Sequence, residues 1–103
     1  MSENLFAQVK RKLNITWEDE ETTARLTDII QSAIPAMTHK LGIADPNFDF
    51  AKPGMENDLF KSYCLYEWNH CLNEFDDNYA NNIAQVRARN EVEHYQNEVA
   101  NDG

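Results

Sequence analysis

Residues 26–41, LTDIIQSAIPAMTHKL, contain the clearest pattern in this chain. At about 100° per residue, their apolar side chains fall within one arc of about 140°, and Asp28, Ser32 and His39 share the opposite face. The apolar set is Leu26, Ile29, Ile30, Ala33, Ile34, Met37 and Leu41. Such a stripe is typical of a helix that packs on a core. Pro35 lies on the polar side, so we expect a kink there rather than a break.

The ends of this second helix also have sequence signals. Thr16 is a plausible N-cap, and the acidic residues 18–21 lie where the positive end of a helix dipole favours negative charge. We therefore expect the helix to begin near Trp17 or Glu18. Gly42, followed by apolar Ile43, predicts its C-terminal cap.

Three further segments have helical patterns. We predict a short first helix from residue 2 or 3 to Leu13, a third from residue 55 or 56 to Phe75 or beyond, and a fourth over Asn82–Val99. The third segment is apolar on most sides, which indicates the central helix. The predicted class is all-α: one domain over residues 1–103, a small bundle of about four helices. Its one substantial loop, residues 44–54, lies between helices 2 and 3, and residues 100–103 form a frayed tail.

Composition limits the function classes. The chain has 103 residues, with 18 acidic and 9 basic side chains and a formal charge of -9. One domain of this size excludes a large multi-domain enzyme. The only dense basic run is Lys10–Lys12, so tight DNA binding is not expected. We also expect no membrane span and no signal peptide, and folding in a cytosol.

The two cysteines, Cys64 and Cys71, lie seven residues apart in the predicted third helix. That spacing places them about 10 Å apart along the axis, too far for a disulfide, so we expect free thiols that pack in the core. No phosphate-binding glycine loop, nucleophile elbow or Ser/His/Asp set is present. We therefore expect no catalytic residues, no cofactor and no enzymatic activity.

Two Glu-x-x-His spacings, Glu67 to His70 and Glu91 to His94, raise the possibility of a metal site. In di-metal bundles this motif occurs on two helices, and the other two helices each add an inward Glu. His94, however, points about 120° away from the apolar stripe of its own helix. Surface positions are the simpler interpretation, and a small di-metal protein remains an alternative.

A second spacing resembles a calcium loop. Asp45, Asn47, Asp49 and Glu56 occupy positions 1, 3, 5 and 12 of that pattern. Phe50 stands where the loop needs glycine, so ordinary turn chemistry is favoured over a calcium site.

The predicted fourth helix has a narrow apolar stripe on an otherwise polar surface. Such a stripe can dock on a partner as well as on the protein's own core. The stripe consists of Ala84, Ala88, Val92, Tyr95 and Val99.

The order of these features carries more information than any one of them. A short first helix ends in LNI (residues 13–15), the second helix begins with acidic residues, and FDF (48–50) precedes PG (53–54). YCLY (63–66) then leads to EFDDNY (74–79). Over residues 5–95 this order resembles the head-tail connector family of tailed bacteriophages, also called head-completion or adaptor proteins.

The resemblance implies structural work in virion assembly. Copies of the protein would bind beneath the portal protein after DNA packaging and form a ring of about twelve copies that continues the DNA channel. The ring would offer a platform to the next connector or tail protein. The expected location is the head-tail junction of the virion, and the host cytoplasm before assembly. An acidic wall would let DNA slide past without tight binding.

Two further expectations concern the isolated protein. A ring surface that paired strongly before docking would risk wrong assemblies, so we expect a monomer or weak oligomer in solution. The acidic charge also suits an inhibitor that mimics DNA and binds a basic protein, and this class remains an alternative beside the di-metal protein.

Overall fold

The computed structural model describes the backbone of residues 4–102 and the side chains of residues 4–92. Within them the chain is helical and has no strand, as predicted. The helices are α1 (Leu5–Lys12), α2 (Glu20–Lys40), α3 (Met55–Trp68), α4 (Phe75–Asn78) and α5 (Ala80–Asp102), with a 3₁₀ turn at Leu72–Glu74. There are five α-helices rather than about four because the predicted third helix is divided.

The start of α2 differs from the sequence prediction. The helix begins at Glu20, and its cap is Asp19 rather than Thr16. The Asp19 carboxylate accepts hydrogen bonds from the Thr22 amide (2.7 Å) and hydroxyl (3.1 Å). A carboxylate that accepts two hydrogen bonds in the first turn satisfies an otherwise unpaired amide more strongly than a hydroxyl would.

The C-terminal end of α2 confirms the predicted cap. Gly42 has a left-handed backbone (φ 63), and the Ile43 amide donates to the Thr38 carbonyl at 3.0 Å. These are the marks of a Schellman motif. Pro35 lies inside the helix and is exposed, so α2 continues through it as expected.

The core forms around α3, which packs against α1, α2, α4 and α5. Its central position was predicted. Phe60 and Cys64 of α3 are fully buried, and the Phe60 ring lies 4.7 Å from that of Phe50 in the loop. Ile34, which we had predicted as a core residue, is instead 40% exposed. It lies at the edge of the α2 stripe, where it lines an open groove.

The end of α3 is the largest departure from the sequence prediction. The helix stops at Trp68 rather than at Phe75 or beyond. His70 is left-handed (φ 59), and the Cys71 amide donates to the Tyr66 carbonyl at 2.9 Å, which completes a Schellman motif. The helical spacing of apolar residues continues past this point. That spacing contains no information on the left-handed backbone conformation of a single residue such as His70. Cys71 therefore lies outside the helix that contains Cys64.

Beyond this break, Phe75 anchors the chain to the core. Its ring is fully buried and lies 5.3 Å from the ring of Tyr63 and 5.0 Å from that of Tyr79. The last helix, α5, begins at Ala80 and runs to Asp102, so it is longer at both ends than predicted. Its backbone is helical at residues 100–102, and Gly103 lies outside the described residues; fraying of this end stays a prediction.

Candidate docking surface on the fifth helix

One side of α5 packs on the rest of the protein. Val86 is only 1% exposed, and Ile83 and Asn90 are partly buried. Together with Arg87, these residues lie within about 100° on the helix circumference. They fix how α5 lies on the body of the protein, and therefore which side it presents to solvent.

Arg87 and Asn90 join α5 to the C-terminal end of α2. The Arg87 guanidinium donates to the carbonyl oxygens of His39 (2.9 Å) and Lys40 (3.3 Å), and the Asn90 amide donates to that of Leu41 at 2.8 Å. The last carbonyls of a helix lack partners within the helix and carry partial negative charge. A cation and an amide from α5 therefore satisfy the end of α2.

The predicted apolar stripe faces away from this junction. Ala84, Ala88 and Val92 are exposed, and Val92 keeps 55% of its surface accessible. Their mean direction is about 150° from that of the packed residues. Among the described side chains, the residues of the stripe are therefore not covered by the core. Tyr95 and Val99 lie outside the residues whose side chains the structure describes.

An open groove of about 580 Å³ lies at the same end of α2. Exposed Ile34 and Pro35 form part of its wall, and Arg87 links it to α5. Its other lining residues are Thr38, His39, Gly42, Ile43 and Pro46.

The Glu-x-x-His residues do not form a joint site in the described part of the chain. His70 lies after the end of α3, so it is not on the helix that carries Glu67. Glu91 forms an ion pair with Arg87 (2.9 Å), and the side chain of His94 is outside the described set. Among the described residues, no three His, Cys, Asp or Glu side chains are grouped to hold a metal.

Turn chemistry explains the calcium-like spacing. The carboxylates of Asp45 and Asp49 accept hydrogen bonds from the backbone amides of Asn47 (2.8 Å) and Ala51 (2.9 Å). Glu56 pairs instead with Arg89 on α5, at 2.7 Å. The acidic residues therefore shape the loop and join helices.

Glu67 and His70 have a different neighbour, Arg25 of α2. The Arg25 guanidinium donates to the Trp68 carbonyl at 2.6 Å, lies 3.2 Å from His70 Nε2, and stacks over the Trp68 ring at 4.1 Å. Glu67 Oε2 is buried without a hydrogen-bond partner. Burial raises the pKa of Glu67, and the positive charge of Arg25 opposes that shift. The contacts of Arg25 with Trp68 and His70 therefore hold the end of α3 against α2.

The two thiols are free, as predicted. Burial raises the pKa of Cys64 to about 12, with a smaller contribution from the charge of Glu67. Full burial and the raised pKa leave very little accessible thiolate, which fits a residue that packs in the core. Cys71 is half-buried, and its Sγ donates to the Tyr66 carbonyl at 3.5 Å.

The packed face of α5 was not among the features predicted from the sequence. Apolar Ile83 and Val86 follow the helical repeat, and that signal points to the face. Arg87 and Asn90 carry no such signal, because their partners are backbone carbonyls of another helix.

The fold defines a small all-helical protein whose most distinctive surface is the exposed side of its last helix. No helix in the described part of the chain is long and apolar enough to cross a bilayer. Comparisons with known protein families, with curated proteins and with solved structures found no match to this chain.

Proposed function

We propose that this protein is a structural head-tail connector of a tailed bacteriophage or prophage, which binds the portal protein after DNA packaging. The observation that carries the proposal is the exposed apolar stripe of α5, which faces away from the body of the protein. Solvent-facing apolar side chains in one row on a helix suit a docking site for another protein. The resemblance in the order of features over residues 5–95 supports the same assignment.

The shape and charge suit a subunit of a ring. The molecule measures 54 × 32 × 20 Å, and α5 supplies a rod of about 34 Å. A ring needs one patch to meet a different patch on the next copy. The net charge of -9 favours a channel wall that repels DNA, so that DNA passes without tight binding. In this proposal the other side of the ring receives a stopper or tail protein, and no enzymatic step is involved.

Imaging of the protein mixed with the portal protein of the same genome tests the proposal. We expect added ring density on the portal for the wild-type chain. Val92→Asp puts a charge in the exposed stripe, and we expect portal affinity to fall about tenfold or more because a buried apolar contact is lost. Val92 is exposed, so the variant should keep its fold.

Asn82→Asp is the matched control. It adds the same charge on an exposed part of α5 about 120° from the stripe, and it should leave ring density unchanged. Absence of ring density with the wild-type protein would overturn the proposal. Stoichiometric iron, manganese or zinc in the purified protein would favour the di-metal class instead.

A further inference from the structure

The chain can be divided at a three-residue hinge, residues 69–71. Before it lies the body, residues 4–68, and after it the arm, residues 72–102. The hinge is a left-handed Schellman turn built on His70 (φ 59), a residue with a Cβ. Non-glycine residues are disfavoured in this conformation, so the closed hinge is strained relative to a helix.

The sequence around the hinge suits a continuous helix. Apolar residues recur at helical spacing from Cys64 and Leu65 through Trp68 and Leu72 to Phe75. The hinge itself, Asn-His-Cys, contains neither glycine nor proline. The apolar spacing is therefore compatible with helix through residues 69–71, whereas the contacts of Arg25 with the Trp68 carbonyl and of Phe75 with Tyr63 hold the turn.

The arm is held to the body by a defined set of contacts. Phe75 packs on Tyr63, and Val86 is buried. Four polar links add to these: Lys40 to Asp76 (2.8 Å), Glu56 to Arg89 (2.7 Å), the Asn78 amide to the Tyr66 hydroxyl (2.9 Å), and the bonds of Arg87 and Asn90 to the end of α2. Each link joins a group on the body to a group on the arm, so the body of a second, identical copy could make every one of them.

We propose that two copies of this chain exchange arms, so that each arm packs on the other copy's body through the contacts it makes within the monomer. In the exchanged form, residues 55–78 form one helix. Exchange of identical elements retains the native contacts and releases hinge strain, and a short strained hinge favours it. The proposal is independent of portal binding, because it concerns only contacts between copies of this chain.

Arg25 opposes the exchange. Its guanidinium donates to the Trp68 carbonyl, which in a continuous helix would accept from the Leu72 amide instead. It also contacts His70 Nε2, which accepts because a guanidinium can only donate. Arg25 therefore stabilises the closed hinge, and the monomer is the main species in dilute solution.

Two substitutions at one position test the hinge. His70→Gly and His70→Ala both remove the imidazole and its contact with Arg25, so they differ only in backbone preference. Glycine favours the left-handed turn and disfavours helix, and alanine does the reverse. At each hinge, the equilibrium between turn and helix should differ by at least about fivefold between the two variants. Because the dimer has two hinges, its Kd should be at least about 25-fold lower for His70→Ala than for His70→Gly. Sedimentation velocity over a concentration series measures this.

A charge-reversed pair distinguishes arm exchange from simple surface contact. Glu56→Arg and Arg89→Glu each place like charges across the body–arm contact, both in their own monomers and in their own exchanged dimers. An exchanged heterodimer of the two variants has opposite charges at both contacts. We expect native mass spectrometry of the mixture to show the heterodimer at least about fivefold above either homodimer.

Three results would overturn the proposal: equal Kd values for the two His70 variants, tighter association of His70→Gly, or a mixture of the charge variants without excess heterodimer. The charge-variant experiment does not depend on His70, so it decides the matter even if His70→Ala fails to fold.

Discussion

Single residues with left-handed backbones end three of the helices. Asn14 ends α1 (φ 59), Gly42 ends α2 (φ 63) and His70 ends α3 (φ 59). Glycine adopts this conformation freely, whereas Asn and His adopt it at a cost of about 1 kcal/mol. Glycine and asparagine are common at this position and histidine is not, which is why the sequence predicted the ends of α1 and α2 and not that of α3.

Cys64 gives a prediction about reactivity. Its pKa of about 12, against an ordinary 9.0, leaves about a thousandfold less thiolate at pH 8. With a thiol-alkylating reagent at pH 8, we expect the native protein to be labelled at Cys71 and to stay unlabelled at Cys64 until it is unfolded. Peptide mass spectrometry identifies the labelled site, and equal labelling of the two would contradict the buried assignment.

The same shift sets a direction for stability in alkaline solution. The unfolded thiol ionises near pH 9, whereas the folded one keeps its proton until about pH 12, so stability should fall as pH rises through this range. Cys64→Ala should reduce the loss of folding stability between pH 8 and pH 10.5. The midpoint of urea denaturation, compared at the two pH values, measures this loss. Tyr63, whose pKa burial also raises, accounts for some of the loss that remains.

Between elements, the junction of α2 and α5 depends on one small residue. A Cβ at position 42 would lie 3.2 Å from Cγ of Arg87, the side chain that caps the end of α2. Glycine at position 42 therefore favours the approach of α5 in two ways: it adopts the left-handed backbone, and it spares Arg87 a shift of a few tenths of an ångström. Amphipathic patterns predicted both helices, but their contact depends on backbone carbonyls, which no side-chain pattern encodes.

Gly42→Ala should therefore destabilise the protein by about 1–2 kcal/mol, because it adds left-handed strain and displaces Arg87. Chemical denaturation measures the change. Asn14→Gly is the matched control at the equivalent position of α1, and it should be neutral or stabilising by up to about 1 kcal/mol. If Gly42→Ala left the free energy of unfolding unchanged, the packing of α5 would not depend on this junction.

For the molecule as a whole, the acidic charge is the dominant electrostatic feature. The ion pairs between helices, such as Lys40 to Asp76, have an exposed partner and each contribute at most about 1 kcal/mol. Repulsion among the excess carboxylates acts over longer distances and is screened by salt. The net effect of salt should therefore be stabilising.

Raising NaCl from about 0.01 M to about 0.3 M at pH 7 should increase the Tm by a few degrees. The same titration near the pI of about 4.6 is the control, and the increase should disappear there because the net charge is close to zero. A Tm that falls with salt at pH 7 would mean that local ion pairs outweigh the general repulsion.

The candidate docking surface was predictable in part. Ala84, Ala88 and Val92 share a face because of the helical repeat, and the structure leaves that face exposed. The fully buried Val86 lies on the other side. Which of the two faces would be covered was not predictable, because it depends on the hydrogen bonds of Arg87 and Asn90 to the backbone carbonyls at the end of α2.

Local sequence determined what is helical in this protein: the apolar stripe of α2, the cap at Gly42, the apolar third helix at the centre, and the acidic surface. These follow from side-chain periodicity and charge, which act within a few turns of chain. The tertiary structure decided where α3 ends and which side of α5 meets solvent. Both depend on groups distant in sequence, Arg25 at the Trp68 carbonyl and Arg87 at the end of α2, whose hydrogen bonds form only once the helices have packed.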